Sequence, residues 1–346
     1  MTRGAICAPA ARSGSQRARR VVRRSAATAG LRDLGGARPG GRQRRRRHLR
    51  PGPPHPPHRT GQLRPPRRLG RQRDADHQRD GRVVAYVTSA PDVVPGDDNG
   101  RNDVVVHDRR TGRDELVQYA TSGALGSADA FFPSLSADGR YVSFDTPAPL
   151  VPDIVVSKTR PVYLRDRRTR TTDLISRPTK YDYKSYADAS PLIGDGGRIA
   201  FESSLYSLVP DDTNKAPDVF VYDRAARTTV RASTAADGTQ ADGPSVGASL
   251  SADGRQVAFT STADNLVPGD TDGVADVFVK DLATGAVTRV SLGADGAQAD
   301  GAQADGASTA ASLDAHGRRA AFPSTATNLV PDDTDGVADV FVSRPR

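Results

Sequence analysis

The residues of this chain best suited to chemistry are aspartates and asparagines that recur in one type of loop. In each loop three oxygen-bearing side chains stand at relative positions one, three and seven. In three of the four loops a glycine follows the second of them, as Gly100, Gly273 and Gly336, and allows the sharp turn that brings short side chains together. The four sets are Asp97, Asn99 and Asp103; Asp212, Asn214 and Asp218; Asp270, Asp272 and Asp276; and Asp333, Asp335 and Asp339.

Carboxylate and amide oxygens are the ligands that Ca²⁺ prefers, in shells of roughly six to eight oxygens. The loops therefore predict metal sites, with calcium as the one candidate cofactor. The alternative is structural, because Asp and Asn in glycine-rich turns also accept a hydrogen bond from their own backbone two residues further on. The loops lack the distal glutamate of a helix-loop-helix calcium site, and residues 152–161 have lost the motif, with Pro161 at the place of the last aspartate. Both interpretations stay open at this point.

Motifs for catalysis are missing from the sequence. It contains no Gly-x-Ser-x-Gly elbow, no His-Glu-x-x-His pair and no phosphate-binding glycine-rich loop. Beyond residue 80 the only histidines are His107 and His316, and His316 replaces the aspartate of a recurring turn. Tyr181, Tyr183 and Tyr186 could stack on a sugar or a peptide, or belong to a solvated loop. The sequence therefore predicts no catalytic residue and a protein that is not an enzyme.

These loops belong to a unit of about 58 residues that is present five times. An Asp-Gly turn marks each unit, and its glycine stands at positions 81, 139, 196, 254 and 317. The last interval is longer because residues 294–298 are copied at 299–303. An alternating apolar stretch that predicts a half-buried strand follows each turn, and a second stretch rich in β-branched and aromatic residues comes some twenty residues later. The pattern predicts four short strands per unit and no helix.

A four-stranded antiparallel unit repeated at this period is typical of a β-propeller blade, because one small sheet must stack on neighbours to bury its faces. The predicted fold class is all-β, with a propeller over 76–346 and blades near 76–123, 131–176, 188–233, 246–292 and 309–346. We expect Phe144, Phe201, Phe259 and Phe322 to lie in the core between blades. The last unit stops near Val342 without an outermost strand. Five blades are visible, and a sixth, hidden in the segment before residue 76, is expected in the intact gene product.

The segment Ser-Leu-Ser-Ala-Asp-Gly-Arg-Gln-Val-Ala-Phe at 249–259, with Asp-Val-Phe-Val-Lys-Asp at 276–281, resembles the WD-like, PD40-type repeat of the bacterial TolB family. The resemblance covers 76–346 and implies a six-bladed propeller that acts as a non-catalytic binding or scaffolding module. It also implies a periplasmic or extracellular location, a protein or carbohydrate ligand, and a monomer. Because lyases and accessory domains of peptidases use the same repeat, an enzyme-associated propeller is the alternative.

The first 79 residues differ from the rest of the chain. They carry 22 arginines and three acids, a charge of +19, whereas the remainder carries −11. The overall +8 therefore indicates no nucleic-acid partner. Residues 1–75 contain no Phe, Tyr or Trp and are predicted to be disordered. The codons of residues 37–55, read one nucleotide later, permit nearly the sequence of 266–284, so we interpret this segment as a frameshifted or mis-called blade.

No secretory signal and no membrane-spanning stretch are visible in the sequence. The localisation is therefore unknown from the residues, and the periplasmic or extracellular expectation comes from the resemblance alone. The sole cysteine, Cys7, lies in the arginine-rich segment, so that thiol chemistry is not expected in the propeller.

Overall fold

The computed structural model describes residues 19–20, 75–77, 80–95, 97, 99–152, 154, 160–177, 187–192, 197–271, 273–292, 311–327, 329–330 and 337–345. The chain divides into two compact units, and every described residue belongs to the unit made of Met1–Val22 and Leu69–Arg346. No helix long and apolar enough to cross a membrane occurs within these ranges.

The described residues form antiparallel strands joined by turns and loops. Their bounds are β1 (Arg19–Arg20), β2 (Ala75–His77), β3 (Val83–Thr88), β4 (Asp103–Asp108), β5 (Arg113–Leu116), β6 (Phe131–Leu135), β7 (Tyr141–Asp145), β8 (Val162–Asp166), β9 (Thr171–Leu174), β10 (Ala187–Leu192), β11 (Arg198–Ser203), β12 (Asp218–Asp223), β13 (Thr228–Arg231), β14 (Ser245–Leu250), β15 (Gln256–Ser261), β16 (Asp276–Asp281), β17 (Val287–Arg289), β18 (Ser312–Leu313), β19 (Ala320–Ser324) and β20 (Asp339–Ser343).

Neighbouring strands pair into five four-stranded sheets, which we call blades 1 to 5. Blade 1 has the order β2-β3-β4-β5, blade 2 β6-β7-β8-β9, blade 3 β10-β11-β12-β13, blade 4 β14-β15-β16-β17 and blade 5 β18-β19-β20-β1. Every pairing is antiparallel, so each blade is a meander of consecutive strands apart from β1. The predicted all-β propeller class is confirmed.

In blades 1, 2 and 4 an Asp-Gly turn leads from the first strand into the second. Gly139 and Gly254 have φ values of 67° and 66°, a region that residues with a Cβ rarely adopt. The aspartate before the glycine closes the turn, since Asp138 Oδ1 accepts hydrogen bonds from Ser136 Oγ at 2.6 Å and Arg140 N at 2.9 Å. The repeated Asp-Gly pair is therefore what places the second strand beside the first.

An outermost strand is present in blade 5, where the sequence predicts none. It is β1, whose Arg19 pairs with Val342 and whose Arg20 pairs with Phe341. The free edge of β20 offers unpaired backbone groups, and a strand from the opposite end of the chain satisfies them. Arg19 and Arg20 lie in the segment 1–75 for which the sequence predicts disorder, and the other residues before 75 lie outside the described part.

Apolar cores lie between consecutive blades. Each combines small and β-branched residues of one blade with an aromatic pair from the second and third strands of the next. The pairs are Phe144–Tyr163, Phe201–Phe220, Phe259–Phe278 and Phe322–Phe341, with ring centroids 5.7–6.1 Å apart. The predicted inter-blade position of the four phenylalanines is confirmed. Each aromatic pair faces the preceding blade.

Several strands expected to be half-buried are buried on both faces. Every residue of β7 is buried, and in β15 every residue but the first is buried. The prediction of half-buried strands is wrong here because an inner blade is packed between two neighbours. Alternation of apolar and polar residues reports one buried face, and small polar residues such as Ser143 can still fill a covered second face.

The faces at the two ends of the blade series differ from the inner ones. Val340 in blade 5 is 48% exposed, whereas its counterparts in the other blades, Val104, Val162, Val219 and Val277, are at most 3% exposed. In blade 1 the place of the aromatic pair is taken by Tyr86 and Val105. Among the described residues no apolar core joins blade 5 to blade 1. The sixth blade stays a prediction.

Candidate functional site

The predicted ligand loops lie at one end of the blades, before the third strand of each sheet. Asp103, Asp218 and Asp276 are the first residues of β4, β12 and β16, and all three are buried. The antiparallel register pairs each of them with the last residue of the second strand, namely Thr88, Ser203 and Ser261. A buried carboxylate at this place needs a partner, and the partner differs from blade to blade.

In blade 4 an arginine neutralises the aspartates of the loop. Nη1 of Arg289, at the end of β17, lies 2.9 Å from Asp270 Oδ1 and 3.0 Å from Asp276 Oδ2. The side chains of Arg289 and Asp270 are only 8% and 2% exposed. Ser291 Oγ donates to Asp276 Oδ1 and accepts from Val277 N at 3.0 Å. The arrangement is a buried salt bridge with its own hydrogen-bonding shell.

In blade 3 the same position carries Arg231, which approaches the carboxylates less closely. Its Nε lies 3.5 Å from Asp218 Oδ2, and its Nη2 lies 3.7 Å from Asp212 Oδ1. Gln240 Nε2 donates to both aspartates, at 3.1 Å and 3.3 Å, and Ser233 Oγ donates to Asp218 Oδ1 at 2.5 Å. Burial raises the pKa of Asp218, while the bond from Ser233 and the charge of Arg231 oppose the rise.

Blade 2 has lost the aspartate at the start of its third strand, yet it keeps a buried ion pair at the same end. Asp145, the last residue of β7, has no exposed surface and accepts from Arg160 Nη2 at 2.5 Å. The guanidinium carbon of Arg160 also lies 4.8 Å and 5.3 Å from the ring centroids of Phe131 and Phe132. Pro161 stands where blades 1, 3 and 4 have an aspartate, so the ion pair of blade 2 is formed by neighbouring residues instead.

The loop of blade 1 has two buried aspartates, and no arginine of the described residues is paired with them. Asp97 is 5% exposed and Asp103 is fully buried, and the described residues offer neither of them an ion pair. Asn99 Nδ2 donates to Asp103 Oδ1 at 3.2 Å, and Gln118 Nε2 donates to the same oxygen. The strand position that carries the arginine in blades 3 and 4 is Leu116 here. Asp103 Oδ2 is buried and has no hydrogen-bond partner among the described residues.

Burial raises the pKa of Asp103 to about 6. The hydrogen bond from Asn99 opposes this rise, whereas Asp97, within hydrogen-bonding reach, and the more distant Asp129 add to it. Like charges held close together in a buried place favour the protonated form. The blade 1 loop therefore has a surplus of negative charge that the loops of blades 3 and 4 lack.

The two asparagines of the described loops make Asx-turns. Asn99 Oδ1 accepts from Arg101 N at 2.7 Å, and Asn214 Oδ1 accepts from Ala216 N at 2.9 Å. The structural interpretation is confirmed for both. His316, whose position elsewhere carries aspartate, is also a turn residue, because Asp314 Oδ1 accepts from His316 N at 3.2 Å and closes the turn instead.

The predicted metal sites stay predictions. Within the described ranges no group of three or more His, Cys, Asp or Glu side chains is arranged to hold a metal ion. Asp272, Asp333 and Asp335 lie outside those ranges, as do Tyr181, Tyr183 and Tyr186. Asp339 is the half-buried first residue of β20. The complete sets that can be compared are therefore those of blades 1 and 3.

A cluster that the sequence interpretation missed lies on the half-exposed face of blade 1. His107 Nδ1 is 2.9 Å from Asp114 Oδ1, and Tyr86 donates its hydroxyl to the same oxygen at 3.2 Å. The register brings them together, since His107 is opposite both Val84 and Asp114. The sequence does contain a signal for this cluster, because Asp114 follows His107 by seven residues across a tight hairpin turn.

A groove of about 540 Å³ lies between blades 2 and 3. Its lining includes the buried side chains of Leu174, Ile175 and Leu208. Its lining also includes charged, aromatic and hydroxyl side chains, namely Asp173, Arg177, Tyr222, Arg227, Thr172 and Thr229. The combination of an apolar floor with a few polar groups is common in ligand sites. Its members come from two blades, which is why no sequence motif marks it.

No family model and no curated protein matches this chain. Solved structures do match. TolB from Acinetobacter baumannii is 18% identical, with a TM-score of 0.40, 80% of this chain covered and 55% of that chain. The oligogalacturonate lyase of Vibrio parahaemolyticus is 12% identical, with a TM-score of 0.46 and 78% and 64% of the two chains covered. The propeller domain of the Trilobed protease from Pyrococcus furiosus is 10% identical, with a TM-score of 0.44 and 80% and 69% covered.

TolB, the family that the repeat resembles, is thus present among the structural matches. This chain spans 55% of the length of the Acinetobacter baumannii protein. Because the identities and TM-scores are low, the fold assignment rests on the strand order, the register and the inter-blade cores of this chain.

Proposed function

We propose that this chain is a non-catalytic binding module, and that its partner occupies the groove between blades 2 and 3. The observation that carries the proposal is the groove itself, with an apolar floor of Leu174, Ile175 and Leu208 beside the charged Arg177 and Arg227. Its volume of about 540 Å³ lies in the range of roughly 300–1,000 Å³ that ligand sites occupy.

The charges of the groove favour a protein segment over a neutral sugar. Arg177 and Arg227 are exposed, and Asp173 is the one acid among the described lining residues. Two guanidinium groups beside an apolar surface suit a partner segment that carries carboxylates and apolar side chains. Tyr222, half-buried in the groove wall, adds an aromatic surface with a polar end of the kind enriched at protein interfaces.

The non-catalytic part of the proposal is supported by the partners that the buried carboxylates already have. In the described parts of blades 2, 3 and 4 they are held by arginines, and in blades 3 and 4 by serine hydroxyls as well. Groups committed in this way stabilise the blade ends and are not available as acids or bases.

The test compares retention of an envelope protein from the source cells by three immobilised forms of the full chain. These are the parent, the groove variant Arg177→Glu with Arg227→Glu, and the control Arg109→Glu with Arg110→Glu on blade 1. We expect the parent and the control to retain the same protein, with cross-links to residues 172–177 or 222–229, and the groove variant to lose it. Equal retention by the groove variant would reject the groove as the binding site.

A second candidate function rests on the His107 cluster. A carboxylate 2.9 Å from an imidazole nitrogen orients the ring, as a lyase that uses a histidine to remove a proton requires. The His107 side chain is 35% exposed and so can be reached by a substrate. Formation of an unsaturated product from an acidic polysaccharide, lost in His107→Ala and kept in His316→Ala, would support the enzyme over the binding module. No product with the purified parent protein would remove this candidate.

A further inference from the structure

A buried acid at this end of the blade has a basic partner in each of blades 2, 3 and 4. The closest distances are 2.5 Å for Arg160 to Asp145, 3.5 Å for Arg231 to Asp218 and 3.0 Å for Arg289 to Asp276. Three different local sequences thus each place a positive charge beside a buried carboxylate. A pair of buried carboxylates without a nearby positive charge carries a large desolvation cost.

Blade 1 is the exception, and the register identifies the change. Arg231 is opposite Phe220 and Arg289 is opposite Phe278, while the equivalent of these arginines, opposite Val105, is Leu116. Leu116 is 3% exposed, so it fills the space of the arginine stem without the charge. The loop nevertheless keeps both aspartates, buried as Asp97 and Asp103.

We propose that the blade 1 loop binds a divalent cation of the calcium class, which takes the electrostatic place of the missing arginine. The site is formed by the carboxylates of Asp97 and Asp103. Its principal ligand is Asp103 Oδ2, a fully buried oxygen without a hydrogen-bond partner in the described part of the chain. Asp129 adds negative charge near the loop.

Two amide side chains hold the carboxylate of Asp103 in place. Asn99 and Gln118 both donate to its Oδ1, and Gln118 Oε1 is fixed by the backbone N–H of Val104 at 3.2 Å. Oδ2 is therefore the oxygen left for a cation, together with the carboxylate of Asp97. Backbone carbonyls and water complete the shell, which calcium tolerates because its coordination is flexible. Two protein carboxylates make a weak site, with a Kd of about 0.1–1 mM.

The same comparison favours blade 1 over blades 3 and 4 as the place of a cation site. Arg231 and Arg289 place a guanidinium against the carboxylates that a cation would need. A divalent ion and an arginine at that place would repel each other. The proposal does not depend on the groove, so the binding-module test and this one can fail separately.

The test is a thermal melt of the full chain at about pH 8 with calcium, with magnesium or with chelator at matched ionic strength. Calcium titration by calorimetry accompanies it. With calcium at about a hundredfold over Kd we expect Tm to rise by roughly 5 °C. Leu116→Arg recreates the blade 4 arrangement and should abolish both the shift and the binding heat. The control Leu116→Met keeps the size and polarity of the side chain and should keep both.

An unchanged parent melt with no binding heat at about 10 mM calcium would overturn the proposal. An equal calcium response in the parent and Leu116→Arg would also overturn it, because the ion would then bind elsewhere. If Leu116→Arg does not fold, Asp97→Asn replaces it. That variant should bind calcium at least about tenfold more weakly, and parental affinity in it would count against the site.

Discussion

Removing the arginine of blade 4 tests whether the blade ends depend on buried ion pairs. In Arg289→Leu the carboxylates of Asp270 and Asp276 lose a partner at 2.9 Å and 3.0 Å while their side chains stay 2% and 3% exposed. Breaking a buried pair from one side costs about 3–5 kcal/mol, because the remaining charges are left uncompensated. We therefore expect the free energy of unfolding to fall by this amount and Tm to fall by roughly 6–15 °C.

The assay is urea unfolding followed by fluorescence and circular dichroism, with chelator present. Arg255→Leu is the matched control, because Arg255 also pairs with an aspartate, Asp281, at 3.0 Å, but its side chain is 59% exposed. Such an exposed pair contributes about 0–1 kcal/mol.

The double variant Arg289→Leu with Asp276→Asn removes one of the two stranded charges and should recover part of the loss. A loss below about 1 kcal/mol in Arg289→Leu, equal to that of Arg255→Leu, would refute the reasoning. It would mean that the blade end relaxes and hydrates when the arginine is removed.

Three other predictions follow from the blades. Because the pKa of Asp103 rises from 3.8 to about 6 on folding, its protonated form stabilises the fold below pH 4. That contribution, on the order of 1–3 kcal/mol, should fade as the pH rises through 6 in chelator, and Asp103→Asn should flatten this part of the stability profile. Phe259→Ala opens the core between blades 3 and 4 and should cost about 3–5 kcal/mol in urea unfolding, against at most about 0.5 kcal/mol for Val230→Ala, which is 52% exposed. Gly243→Ala would place a Cβ 2.9 Å from the backbone nitrogen of Ala263, so Tm should fall by an amount equivalent to about 1–3 kcal/mol, and an unchanged Tm would contradict the close approach.

Much of the fold was predictable because its signals are local. An Asp-Gly turn followed by β-branched and aromatic residues specifies a hairpin wherever it occurs, and five copies specify stacked blades. The inter-blade position of Phe144 or Phe259 follows from the same repetition. The burial of both faces of β7 was not predictable in this way, because it depends on neighbours that stack after the sheet has formed.

The sequence by itself determined the blade, its turns and the Asx-turns at Asn99 and Asn214, since each of these needs only residues a few positions apart. Only the tertiary structure decided what the aspartates of the loops contact. Arg289 is thirteen residues from Asp276, and the two meet because β16 and β17 pair in one register and not another. Strand pairing also places Leu116 opposite Val105, where blades 3 and 4 have an arginine, and brings Arg19 to the edge of β20. Strand pairing joins residues that are far apart in the chain, and local propensity contains no information about which of them will carry opposite charges.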